Sequence, residues 1–351
     1  RNLIMQAVTD TEGGILVFLP GEAEIRRTKA ALQDHLPKTC VLRPLLGSLP
    51  FAEQQLAIQP EAQKNMRKIV LATAIAETSL TIEDVRVVVD CGRARRARYD
   101  PAKGLQKLVT EPVSKAEATQ RAGRAGRVAA GRCYRMWARA EEGVMPAFAP
   151  AEIEISDLAP LALELAQWGS GPEDLAFLTP PSPGAWAQAN SLLVQLGALS
   201  EGRLTPYGAA LAKLPLHPRL AQMLLQAGPR AAPLAALLSD RDILSTQNCD
   251  LAPALTALRG SGAQKAQAGI IRDHIALERI KQEAKRLNRL APKAMRVVAL
   301  NPAQCLALAY PERVAQRRPG TQPRYIMAGG KGAVLASDDS MANAQYLVIS
   351  D

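Results

Sequence analysis

Gly14-Ile-Leu-Val-Phe-Leu-Pro-Gly21 is the stretch from which the fold can be read. Its apolar run has no polar interruption, so it fits a strand covered on both faces, the hallmark of a parallel sheet. Pro20-Gly21 ends the run, and Glu22-Ala-Glu-Ile begins a helix to His35 with acids in its first turn, where the helix dipole favours them. The same alternation continues outward. Cys40-Val-Leu-Arg-Pro-Leu-Leu46, Lys68-Ile-Val-Leu-Ala-Thr73 and Val85-Arg-Val-Val-Val-Asp90 read as further strands, with helical patterns between them. Residues 1–148 are therefore expected to form an α/β domain whose ligands gather at the carboxyl ends of the strands.

Polar residues collect at those ends. Thr73 is followed by Ala76-Glu-Thr-Ser-Leu-Thr-Ile-Glu83, whose hydroxyls at Thr78, Ser79 and Thr81 fit either phosphate and ribose contacts or helix caps. Gly92-Arg-Ala-Arg-Arg-Ala-Arg-Tyr-Asp-Pro-Ala-Lys-Gly104 and Leu105-Gln-Lys-Leu-Val-Thr110 form two extended runs around a short loop, a β-hairpin over 93–110. Arg93, Arg95, Arg96 and Arg98 put four cations into six residues of its first arm, more than a protected sheet edge needs, and point to nucleic acid. Gln120-Arg-Ala-Gly-Arg-Ala-Gly-Arg127 combines guanidinium groups, which bind phosphate oxygens bidentately, with glycines that admit close backbone approach. The three-residue spacing of Arg121, Arg124 and Arg127 predicts that they share one side of a helix or turn, as an anion site.

The 351-residue chain carries a net charge of +10, unevenly placed. Residues 1–150 are net +7, 151–260 net −4 and 261–351 again +7, so two basic blocks flank an acidic scaffold and imply a polyanion partner. Aromatics make up only 4% of the chain, which argues against recognition built mainly on base stacking. The five cysteines are scattered with no C-x-x-C pair, against a zinc finger and in keeping with reduced thiols in the cytoplasm. His35, His217 and His274 are isolated, each a surface or core residue rather than a metal ligand or base. The sequence shows no signal peptide and no long apolar span.

These blocks, in this order, resemble superfamily 2 helicases. Gly14 to Gly21 resembles motif IV; Pro44-Leu-Leu-Gly-Ser-Leu-Pro50 with Gln54 is similar to motif IVa of the DEAH-box branch. Leu71-Ala-Thr-Ala-Ile-Ala-Glu-Thr-Ser-Leu-Thr-Ile-Glu83 resembles motif V, and Gln120 to Arg127, with its lead-in from Ser114, resembles motif VI. The likeness continues into the C-terminal half and is nearest to the bacterial HrpB-type DEAH-box RNA helicases. It implies a second RecA-like lobe that binds ATP, with Mg2+, against a first lobe. Gln120, Arg124 and Arg127 would face the γ-phosphate, the two arginines acting as fingers. Ser79, Thr81 and Glu83 would lie near ribose and phosphate. Gly21, Ser48 and Thr73 would hold the RNA backbone, and the hairpin would part strands. Two positions depart from the family pattern. Ala74 stands where Asn is usual, removing an amide donor from the RNA track, and Glu83 stands where Asp is usual. No G-x-x-x-x-G-K-[ST] loop or D-E-x-H box occurs in the sequence. Gly329-Gly-Lys-Gly332 is no substitute, since Gly332 occupies the place of the Mg2+-binding hydroxyl. The chain is thus expected to be a fragment lacking the first lobe and inactive as an ATPase by itself.

Beyond residue 148 the pattern changes. Residues 149–214 predict a winged-helix domain: a helix over Ile155 to Trp168 capped near Ser156 or Asp157 and stopped at Gly169, a second through Leu196, a small wing over 197–205, and a helix over 206–214. The acidic balance makes this module a packing hub rather than a reader of duplex. Residues 215–308 predict a helical bundle, with Ile270, Leu277, Ile280, Ala284 and Leu287 as a buried stripe. Residues 309–351 switch to β-like runs, the start of an OB-like module that the end of the chain would truncate. The leading expectation is a monomeric part of an RNA helicase with no membrane association. A DNA helicase of the same fold and a non-catalytic winged-helix nucleic-acid-binding protein are the alternatives.

Overall fold

In the computed structural model, the residues described are 1–61, 65–77, 81–100, 105–127, 129–240, 248–259, 274–292 and 300–350. The chain divides into two compact units, Arg1–Ser156 and Asp157–Asp351.

The first unit is built on a five-stranded parallel sheet. Its strands are β1 (Gly14–Phe18), β2 (Cys40–Leu45), β3 (Arg67–Ala72), β4 (Val85–Asp90) and, after the hairpin strands β5 (Arg93–Asp100) and β6 (Leu105–Pro112), β7 (Arg132–Arg135). Their order is β2-β3-β1-β4-β7. The opening sequence thus lies at the centre, with Leu16 beside Val70 of β3 and Val88 of β4. All five residues of β1 are buried. Strand alternation divides its side chains between two cores. Ile15 and Val17 pack with Ile69, Leu71, Val87 and Val89. Leu16 and Phe18 pack on the opposite face with Val70, Ala72, Val88 and Ala125. Pro44 can sit inside β2 because that strand is at the sheet edge, where one side needs no amide donors.

Helices cover both faces. Helices α1 (Asn2–Asp10) and α2 (Glu22–Gln33) bury Ile4, Ala7, Ile25 and Leu32 in the first core, and α3 (Phe51–Ile58) buries Ala57 in the second. Arg67, at the start of β3, closes the carboxyl end of α1: its guanidinium donates to the carbonyls of Val8 at 2.6 Å and Gly13 at 2.6 Å. The Val8 carbonyl, in the last turn of α1, has no partner within the helix. Strands β5 and β6 form a separate antiparallel hairpin with Arg96 opposite Val109. Helix α4 (Lys115–Gly123) follows, and α5 (Arg139–Val144) and α6 (Glu152–Ile155) complete the unit.

The second unit opens with α7 (Ala159–Trp168) and α8 (Pro183–Gln195). Gly169 ends α7 in the left-handed region at φ +77°, a conformation that favours glycine. This helix begins at Ala159 rather than Ile155, with Leu158 at its N-cap, and Asp157 one residue earlier accepts from the Ala159 amide at 2.9 Å. Strands β8 (Leu199–Ser200) and β9 (Arg203–Leu204) form the small wing, followed by α9 (Pro206–Ala212). The bundle comprises α10 (Pro218–Ala227), α11 (Ala232–Leu238), α12 (Ala252–Arg259), α13 (His274–Leu290) and α14 (Pro302–Ala309). Leu277, Ile280 and Leu287 are buried on α13 as the stripe predicts, Ala284 is half-buried, and Ile270 lies outside the described residues. Buried Arg219 of α10 donates to the Ala309 carbonyl at 3.0 Å and pairs with Glu312 at 2.8 Å. Four antiparallel strands follow: β10 (Val314–Arg317), β11 (Arg324–Met327), β12 (Gly332–Val334) and β13 (Tyr346–Val348), ordered β12-β11-β10-β13. Gly329, Gly330 and Lys331 lie in the β11–β12 turn, with Gly330 at φ +81°, and Gly332 opens β12. The class read from sequence, a RecA-like lobe followed by winged-helix, helical and β modules, is the observed one.

Candidate functional site

The carboxyl ends of β1, β3 and β4 converge on α4. That helix starts with a capping box: Ser114 Oγ accepts from the Glu117 amide at 3.2 Å, and Glu117 Oε2 accepts from the Ser114 amide at 2.7 Å. The rigid start fixes the rotation of the helix, and the helix ends at the first glycine of the Arg/Gly run.

The three arginines of that run do not share a side, and this corrects the spacing argument. Arg121 turns inward and is only 1% exposed. It donates from Nε to Glu77 Oε1 at 2.7 Å and from Nη1 to Asp90 Oδ1 at 2.9 Å, and its guanidinium lies 4.9 Å from the Phe18 ring centroid. Burial opposes its charge, yet Asp90 and Glu77 outweigh that and hold its pKa above the ordinary value. Arg121 is thus a strut joining motif VI to motif V and to the end of β4. The helix terminates after Gly123, so the next two arginines leave the helical register. Arg124 is buried and donates from Nε to the Glu77 carbonyl at 2.8 Å. Arg127 is exposed, with Nη1 3.4 Å from Thr81 Oγ1. Burial, then the proximity of Arg127, hold the Arg124 guanidinium below its ordinary pKa. A desolvated cation beside a second cation is an environment that an anion relieves.

The other expected residues surround this feature unevenly. Gln120, Thr81 and Glu83 are exposed, and Ser79 lies outside the described residues. Thr73 is half-buried at the end of β3, where its carbonyl accepts from the Ala76 amide at 3.2 Å. Ser48 is exposed, its hydroxyl 3.5 Å from Glu22 Oε2. A methyl group on Gly21 would meet Arg95 Nη1 at 3.1 Å, so the first hairpin arm lies over the motif IV turn. The four hairpin arginines separate by strand parity. Arg93 and Arg95 are exposed on one face. Arg96 and Arg98 point the other way, and both pair with Glu111, at 2.7 Å and 2.9 Å. Arg96 also pairs with Glu117 of α4. Sequence reasoning missed Glu77, Asp90, Glu111 and Glu117 as partners. The one available signal was that acids recur beside each motif.

A sheet of this order, with an Arg/Gly turn at its carboxyl edge, defines a RecA-like helicase lobe. The family "Helicase conserved C-terminal domain" matches residues 1–129, and "Helicase associated domain (HA2), winged-helix" matches residues 191–216. The ATP-dependent RNA helicase HrpB of Escherichia coli is 39% identical over 342 residues, 96% of this chain and 40% of that protein. The ATP-dependent RNA helicase HrpA of the same organism is 38% identical over 227 residues, 62% of this chain and 17% of that protein. A crystal structure of Escherichia coli DEAH/RHA helicase HrpB superposes with TM-score 0.86 at 37% identity, covering 99% of this chain and 42% of that one. Over nearly its whole length the chain is similar to these HrpB-type DEAH-box helicases, and it spans about two-fifths of the length of the HrpB relative.

Proposed function

We propose that this chain is the nucleotide-sensing and RNA-gripping portion of an ATP-dependent RNA helicase. In this reading, ATP binding and hydrolysis between two lobes drive translocation on RNA and unwinding. The observation that carries it is the pair Arg124 and Arg127, a desolvated guanidinium with a second cation beside it at the carboxyl edge of the sheet. Such a pair suits the γ-phosphate, where arginine keeps its charge and stabilises the charge that spreads during phosphoryl transfer. Gln120 completes the phosphate-facing set, and Ser79, Thr81 and Glu83 would address the ribose side. The Mg2+ ligands and the phosphate loop are assigned to the first lobe, so this chain alone is not expected to turn over ATP.

Gly21, Ser48, Thr73, Arg93, Arg95 and Arg98 would follow the RNA backbone, with the hairpin at the junction of single strand and duplex. The relatives' names give RNA as the substrate they act on. The domains proposed are 1–148, 149–214, 215–308 and 309–351, in a monomer acting in the cytoplasm. No helix among the described residues is long and apolar enough to cross a membrane.

The test is RNA-stimulated ATP turnover by the two-lobed protein. Arg124→Ala should lower kcat by about a thousandfold, the scale of an arginine finger, with a smaller change in RNA affinity. Turnover left intact by that substitution would refute the assignment.

A further inference from the structure

The hairpin is fastened to the motif VI helix at three successive points. Ala94 and Arg96 lie on one face of β5, two residues apart. Glu117, Ala118 and Arg121 lie on one face of α4 at helical spacing. These faces meet. Ala94 packs with Ala118 and Val113 in a small core, against which Trp137 rests. Arg96, whose side chain is only 14% exposed, bridges Glu111 on β6 and Glu117 on α4. Arg121 donates to the Arg93 carbonyl at 3.2 Å and to Asp90, whose Oδ1 also accepts from the Gly92 amide at 2.9 Å. Glu117 has a second task, since the same carboxylate closes the capping box of α4. Helix α4 is therefore tied to the hairpin arm along its length, from Glu117 to Arg121, and its carboxyl end carries Arg124.

We propose that the hairpin and α4 move as one body, with Arg96 a positioning residue that transmits nucleotide sensing at Arg124 to the hairpin. Arg96 then acts through Glu117 and is not an RNA contact, although its neighbours Arg93 and Arg95 are exposed. Its functional consequence rests on the helicase reading above. A side chain held between two carboxylates, mostly out of water, has little charge left for a phosphate. A guanidinium fork suits the role because it meets two acids at once, which a lysine ammonium does less well.

The experiment compares Arg96→Ala, Arg96→Lys, Arg95→Ala, Glu117→Gln and the Arg96→Ala/Glu117→Gln double variant in the two-lobed protein. Glu117→Gln keeps an oxygen for the Ser114 amide while removing the charge facing Arg96. Three quantities are read: amide exchange along α4, affinity for a labelled single-stranded oligouridine, and RNA-stimulated ATP turnover. Arg96→Ala should speed exchange of the α4 amides and leave β1 protected, which also shows that the fold survives. It should lower kcat by about tenfold, the scale of coupling between sites, at nearly unchanged KM for RNA. Arg96→Lys should fall between, and adding Arg96→Ala to Glu117→Gln should cost little more. The inference is overturned if Arg96→Ala raises the KM for RNA as Arg95→Ala does and adds fully to Glu117→Gln. Unchanged α4 exchange would overturn it equally. A parent protein without ATP turnover would instead sink the helicase reading, while the exchange and additivity measurements would still decide the clamp.

Discussion

Arg121, Arg124 and Arg127 have the same chemistry and different physics, and burial separates them. Arg121 neutralises Asp90, a carboxylate with no exposed surface. Removing one partner of a buried pair leaves an uncompensated charge. Arg121→Ala should therefore destabilise the first unit by about 3–5 kcal/mol, measured by denaturant unfolding. Arg121→Lys should recover only part of this, because an ammonium cannot reproduce the two-sided fork. Arg127→Ala, at an exposed site, should change stability by no more than about 0.5 kcal/mol. Equal costs at the two positions would contradict the division into a buried strut and an exposed arginine. Gly92 makes a second residue-scale case. It sits at φ +69°, and a methyl group there would lie 2.6 Å from Trp137 Cε3. Gly92→Ala should cost about 1–3 kcal/mol, the range for a strained backbone position, and should show as a lowered Tm.

At the scale of elements, charge decides how the hairpin stands. Burial raises the pKa of Glu117, but its bonds with Ser114 and Arg96 prevail and hold it below the ordinary 4.5. Glu111 is likewise held below that value, Arg96 and Arg98 outweighing burial. For a carboxylate depressed on folding, the contribution to stability is complete above the unfolded value and fades as pH falls through the folded one. The hairpin–α4 contact should thus loosen in acid below about pH 4.5. Exchange of α4 amides followed against pH should show it, and Glu117→Gln should flatten the dependence. The strands β1, β3 and β4 were legible in sequence because each carries an apolar run buried on both faces, unbroken in β1 and interrupted only by exposed Arg86 in β4. The edge strand β7 was not singled out: it is four residues long with arginine at both ends. Helix α3 also went unread, since its exposed Phe51 and Leu56 blur the apolar stripe.

At the scale of the molecule, the two basic blocks make the proposed RNA binding an electrostatic matter. Affinity for single-stranded RNA should fall steeply with salt, and Arg95→Ala should reduce the log–log slope by about one. A flat salt response would remove the polyanion argument. Relations among sequentially distant residues divide what could be read from what could not. The sequence by itself determined the parallel α/β lobe, the hairpin, the wing and the order of the motifs. Apolar period, glycine, proline and caps act over a few residues and leave their mark on the chain. Only the tertiary structure decided which arginine is braced between carboxylates and which one stays exposed. Arg121 meets Asp90 and Glu77 across 31 and 44 residues, and Arg96 meets Glu117 across 21. Whether a guanidinium is free for phosphate depends on the carboxylates and the burial around it, which only the folded chain brings together.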